Sequence, residues 1–179
     1  MNIHCTKKLM AKLPFEESPA VEYLSEPAQR LFNWHANLIT IQRKQCVILV
    51  NDATRYAVFL PSMTKPELKH IEQHFHDVFV NSLIKAGLEF PLIEVAAKHL
   101  HEARFKYDTV CSRSVQGTMR LMTEDLDWSL YHNSQHIDDI ALYSTSAWLS
   151  DRPCNVKGVK DCIWPVKAMT ELLLSLQQI

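Results

Sequence analysis

Glycine is nearly absent, with three residues in a chain of 179. Phosphate-binding loops and dinucleotide fingerprints need several glycines within one turn, so that backbone amides can approach the phosphate, and nucleotide-dependent enzymes of the common kinds are therefore disfavoured. No Gly-x-Ser-x-Gly stretch is present either, which removes the nucleophile elbow of the α/β-hydrolases. Cys-x-x-Cys pairs are missing. Cys5, Cys46, Cys111, Cys154 and Cys162 are odd in number and widely spread, a pattern that argues against a disulfide framework or a zinc ribbon and leaves reduced, mainly structural thiols. An excess of one charge is lacking as well: 19 basic residues face 20 acidic ones, so no global positive field draws the chain to DNA or to an anionic membrane. The apolar runs, 46–50 and 172–174 among them, fall far short of the ~18 residues that suggest a membrane span. No apolar signal core or small-residue cleavage site follows Lys7 and Lys8. The expectation is a protein of the cytoplasm without membrane contact, folded as one domain over 1–179.

Residues 33–60 hold the densest run of β-branched and apolar side chains. Three strands are expected there, 38–41, 46–50 and 56–60, because Val, Ile, Thr, Tyr and Phe suit a pleated, half-buried surface. Turns at 42–45 and 51–54 make neighbours antiparallel, with Asn51 and Asp52 supplying turn chemistry. The middle strand is apolar at every position and predicts cover on both faces. The fold class is α+β, an antiparallel β-meander packed by several amphipathic helices. A short strand at 2–5 is followed by Thr6 as the cap of a helix to Leu13, and 15–30 reads as a loop packed by Phe15, Val21, Tyr23 and Leu24, with one helical turn possible from Pro27.

Thr64 and Pro66 predict a helix start and Gly87 its end; Leu68, Ile71, Phe75, Val78, Phe79, Ser82 and Ala86 form one buried face at spacings of three and four. Pro91 opens a second helix to about His101, and 103–111 alternates as a strand able to join the meander. Ser114 caps the next helix, in which Val115, Met119, Met122, Leu126 and Leu130 make a stripe and Gly117 suggests close packing on the sheet. Residues 137–150 suit helix or strand. Pro153 and Gly158 bracket a loop, and Pro165 leads a last helix to Gln178.

Thr6-Lys7-Lys8-Leu9, Trp34-His35-Ala36-Asn37-Leu38, Asn51 with Tyr56, Arg113-Ser114-Val115 with Gly117 and Met119, and Arg152-Pro153-Cys154 before a Trp-Pro helix together carry a likeness that covers nearly the whole chain. In these motifs the sequence resembles a family of small bacterial domains of unknown function that occur on plasmids and other mobile elements. The resemblance implies one intact domain and transfers no catalytic residue.

His70 and His74 share a helical face at i and i+4, yet the stretch reads His-Ile-Glu-Gln-His rather than His-Glu-x-x-His, so Glu72 points elsewhere and no third ligand is specified. Cys111 beside Arg113 is the better placed thiol for reactivity. The paired carboxylates Glu16-Glu17, Glu124-Asp125 and Asp138-Asp139 diverge and read as solubilising charge. No catalytic residue, metal ligand or cofactor is assigned. Lys7, Lys8, Lys12, Arg43, Lys44 and Arg55 can form a basic edge. Trp34, His35, Arg43, Lys44, Arg113 and Ser114 form the expected binding surface, since a helix N-terminus at 113–114 also receives an anion.

The expected function is non-enzymatic: a binding protein acting on a protein or nucleoprotein complex, such as an anti-CRISPR-like inhibitor of a host defence or regulatory complex encoded by a mobile element, with direct nucleic-acid binding not favoured. The alternative is a small histidine- or metal-dependent hydrolase or nuclease. The central-strand assignment has its own test. Ile48→Asp places an unpaired charge in a buried strand at a cost of several kcal/mol and is expected to abolish soluble expression; a soluble variant with an unchanged melting temperature would contradict it.

Overall fold

The computed structural model describes residues 1–22, 25–101, 103–156 and 160–177. The elements in chain order are β1 (Asn2–Cys5), α1 (Lys7–Met10), α2 (Glu26–Leu31), β2 (Asn33–Ile41), β3 (Lys44–Asn51), β4 (Ala57–Leu60), α3 (Lys65–Leu68), α4 (Ile71–Lys85), α5 (Phe90–His101), β5 (Lys106–Asp108), α6 (Arg113–His132), a 3₁₀ turn (Ile137–Asp139), α7 (Leu142–Ser150) and α8 (Pro165–Gln177). The strands form one sheet in the order β4-β3-β2-β1-β5. β2, β3 and β4 pair antiparallel in sequence order. β1 is parallel to both β2 and β5, which corrects the expected fold: the sheet is mixed, neither purely antiparallel nor a meander. The physical reason is that β1 has an apolar inner face in Ile3 and Cys5 and fills the open edge of β2, so that β5 joins β1 rather than the 33–60 unit.

Strand alternation divides the interior into two layers. One face of the sheet carries Ile3, Trp34, Ala36, Leu38, Val47, Leu49 and Val58 against α4, α5 and α8. The other carries Ile39, Ile41, Cys46, Ile48, Val50 and Phe59 against Val115, Met119, Met122, Leu126 and Leu130 of α6. β3 is thus covered on both sides, as an unbroken apolar run requires. Aromatic rings lock the first layer: Trp34 meets Phe75 edge-on with ring centroids 4.8 Å apart, and Phe79 meets Tyr56 at 5.6 Å. Among the described residues no helix is long and apolar enough to cross a membrane.

Several local expectations change. The β2–β3 turn is only Gln42-Arg43, with φ of 46° and 68°, the left-handed pair of a two-residue hairpin, so both strands run longer than their apolar cores. The helix expected from Thr64 to Gly87 is two helices: Thr64 and Glu67 close a capping box around one turn, and His70 then leaves helical geometry at ψ 21°. The helix from Thr6 stops at Met10. Ser112, not Ser114, is the N-cap of α6. Gly117 has no atom within 4 Å of a Cβ built on it, because it lies off the buried stripe and faces open space rather than the sheet. Residues 142–150 are helical, and α8 ends at Gln177 within the described chain. Tyr23, Leu24, Gly158 and Gln178 lie outside the described residues. Phe15 does pack, stacking on Tyr107 at 5.2 Å.

The two sheet edges are finished differently. Along β4, the hydroxyls of Ser150 and Ser146 on α7 accept the N–H groups of Ala57 at 2.9 Å and Phe59 at 3.0 Å. Along β5, the N–H of Ser18 donates to the Tyr107 carbonyl at 2.7 Å. Both α7 hydroxyls are fully buried, so Ser146→Ala with Ser150→Ala leaves two buried N–H groups unpaired. Each costs about 1–3 kcal/mol, and chemical denaturation is expected to show a loss of about 2–6 kcal/mol, with the β4 amides losing exchange protection first.

Candidate functional site

The register of the parallel strands sets Asp108, His4 and His35 side by side on one face of the sheet, the face that carries Val50 and Ala57 further across. The apolar part of that face lies under α6. Its polar part meets the start of α6, because β5 leads directly through 109–112 into that helix. His35 is 1% exposed, and its Nε2 accepts the Ser112 N–H at 2.6 Å. The proton therefore sits on Nδ1, which donates to Asp52 Oδ1 at 2.6 Å. Both ring nitrogens are used, and the imidazole acts as a joint between β2, the β3–β4 turn and the α6 cap.

Beside it, with ring centroids 4.9 Å apart, His4 donates from Nδ1 to Asp108 Oδ1 at 2.8 Å, and that carboxylate also accepts the Val110 N–H at 2.9 Å. The Cys111 thiol is directed at the Cys5 carbonyl, 3.3 Å away. Burial pushes this thiol up from its ordinary range against the opposing pull of Gln116, the opposite direction to that expected from a neighbouring Arg113. Arg55, 5% exposed and in the left-handed region at φ 63°, donates to the Asp52 carbonyl at 2.8 Å and to Ser114 Oγ at 3.1 Å, while its buried Nε has no partner. Its burial lowers its pKa, opposed by the nearby Asp52 charge.

From this polar cluster a groove of about 530 Å³ runs along α6 to residues 152–155. Leu121, Met122 and Pro153 give it an apolar lining, and Arg113, Arg120 and Arg152 stand around it. Arg152 is paired with Asp125 and Arg120 with Glu124, whereas Arg113 makes no ion pair among the described residues. Gly117 widens the groove at its middle.

The family model described as "Domain of unknown function (DUF6933)" matches residues 2–168. The chain belongs to the DUF6933 family. No match to it was found among curated proteins or among solved structures. In this DUF6933 chain the expected binding residues separate into three places. His35, Arg113 and Ser114 gather at the start of α6. Trp34 does not join them: it is 0% exposed, donates from Nε1 to the Leu31 carbonyl at 2.7 Å and belongs to the core, because odd and even residues of β2 face opposite layers. Arg43 and Lys44 lie at the other end of β2, where Lys44 stands opposite Ile41, six residues or roughly 20 Å from His35, and pairs with Asp138 at 3.0 Å.

His70 is the residue capping α4, with His74 in its first turn. Among the described residues no three His, Cys, Asp or Glu side chains are grouped to hold a metal ion. Two of the paired carboxylates hold loops: Asp125 binds Arg152, and Asp138 binds Lys44 and Ser62. Sequence features did not mark His4 or Asp108 as site residues, and they marked Asp52 only as part of a turn. His4 and Asp108 are 104 positions apart and only β1–β5 pairing unites them; the Arg152-Pro153-Cys154 motif was the one signal for the groove's far wall.

The His35 joint is testable. His35→Leu removes the acceptor of the Ser112 N–H and the donor to Asp52, and unfolding measurements are expected to show a loss of about 1–3 kcal/mol, with faster amide exchange confined to 112–116. Unchanged stability and exchange would mean that the imidazole carries no such role.

Proposed function

We propose that this DUF6933 protein works without catalysis, by occupying a protein or nucleoprotein partner through the groove between α6 and residues 152–155. The observation that carries this reading is the combination of an apolar lining, Leu121, Met122 and Pro153, with the exposed Arg113, which makes no ion pair among the described residues, at the start of a 20-residue helix. Apolar surface rimmed by arginine suits a partner segment that offers a hydrophobic side chain next to a carboxylate or phosphate. Leu121, at 54% exposed, would be buried by such a segment. Direct nucleic-acid binding is not favoured: Arg120 and Arg152 already answer to carboxylates, and the chain's charge is balanced.

Within that class, the assignment as an inhibitor of a host defence or regulatory complex encoded by a mobile element is supported by the resemblance of the motifs to bacterial proteins of such elements. Five free thiols support a cytoplasmic setting. The alternative hydrolase reading would need His4 as its base, the one histidine of the polar cluster with a single bonded nitrogen.

Purified tagged protein is expected to retain a specific partner from host lysate after nuclease treatment. Arg113→Glu with Leu121→Asp is expected to weaken the isolated complex at least tenfold, about 1.4 kcal/mol, with an unchanged melting temperature because both side chains are exposed. Equal affinity of wild type and variant would place the site elsewhere; loss of the partner on nuclease treatment would point to nucleic acid.

A further inference from the structure

A second cleft, of about 510 Å³, opens where β1 and β5 begin, at the opposite end of these strands from the His4–Asp108 pair. Its floor is apolar, made by Met1, Val21, Phe32 and Ala103. Its walls are basic: Lys98 and His99 come from the last turn of α5, Arg104 follows the helix, and Lys106 starts β5. No described carboxylate lines it.

Elsewhere Arg30, Lys44, Arg120, Arg152 and Lys167 each reach an acidic side chain. Lys98, Arg104 and Lys106 reach none among the described residues, although they converge on one space and repel one another. Lys98 and His99 could serve the C-terminal dipole of α5. That explanation does not extend to Arg104 and Lys106, which lie beyond the helix. Burial and the neighbouring Lys98 charge hold His99 below its ordinary pKa, so it offers a neutral imidazole beside Phe32, with ring centroids 6.3 Å apart.

Three cations around one cleft exceed what a single carboxylate would use, whereas a phosphate monoester brings roughly two negative charges and three strong acceptor oxygens. The volume falls within the roughly 300–1,000 Å³ of small-molecule sites, which combine an apolar lining with a few convergent polar groups. We infer that this cleft binds a small organic phosphate, a phosphate monoester on an apolar or aromatic body of about mononucleotide size. The site is independent of the α6 groove. It needs no glycine-rich loop, since side chains rather than backbone amides hold the anion.

The test is titration calorimetry of the untagged full chain with the four common nucleoside 5′-monophosphates, and with adenosine and inorganic phosphate as fragments. At least one monophosphate is expected to bind saturably and at least tenfold more tightly than either fragment. Lys98→Ala with Arg104→Ala is expected to weaken it at least tenfold; both side chains are exposed, so the fold is retained. In wild type, NMR titration of His99 is expected to show its pKa rising when the ligand is bound, since an adjacent anion favours the imidazolium. Absence of saturable binding by all four, binding no tighter than inorganic phosphate, or an unaffected double variant would each overturn the proposal.

Discussion

The side-chain amide of Asn51 ties together three segments of the chain. It is fully buried; its Nδ2 lies 3.0–3.2 Å from the carbonyls of Arg30, Leu31 and Asn33, and its Oδ1 accepts the N–H groups of Ala53 and Thr54 and the Thr54 hydroxyl. The end of α2, the start of β2 and the β3–β4 turn are therefore fixed by one residue. Everything at the start of α6 inherits that geometry: Asp52 and Arg55 are set by the turn, Asp52 orients His35, and His35 holds Ser112. An aspartate could not replace it, because an ionised carboxylate has no N–H to offer the three carbonyls.

Features that repeat along the chain were legible in the sequence. The β-branched and apolar pattern of 33–60 found three strands, and the three-four spacing of Val115 to Leu130 found the buried face of α6. Features that depend on distant pairing were not. A four-residue β1 carries no local sign of being parallel, yet it sits between β2 and β5 and decides the topology. Trp34 and His35 are adjacent in sequence and equally buried, yet they belong to different layers, one packing on Phe75 and the other bonding to the α6 cap. The polar pattern at 113–114 marked the start of α6, while Arg43 and Lys44 lie at the far end of β2, a strand longer than its apolar core.

The face of the sheet beneath α6 changes character across its width. Over β3 and β4 it is Cys46, Ile48, Val50 and Phe59; over β1 and β5 it is His4 and Asp108. Apolar packing anchors the body of the helix, and hydrogen bonds anchor its first turn. In His35 both nitrogens already have partners, so this histidine serves as a structural joint.

The serine hydroxyls that α7 sets against β4 have a consequence for assembly. A bare strand edge is a template on which another chain can crystallise its own backbone, and here the donors of that template are already answered from within the molecule. At the opposite side β5 is three residues long and meets Ser18. Growth by strand addition is therefore blocked at both ends, and whatever this protein joins, it must recognise by the shape and charge of its side chains rather than by lengthening its sheet.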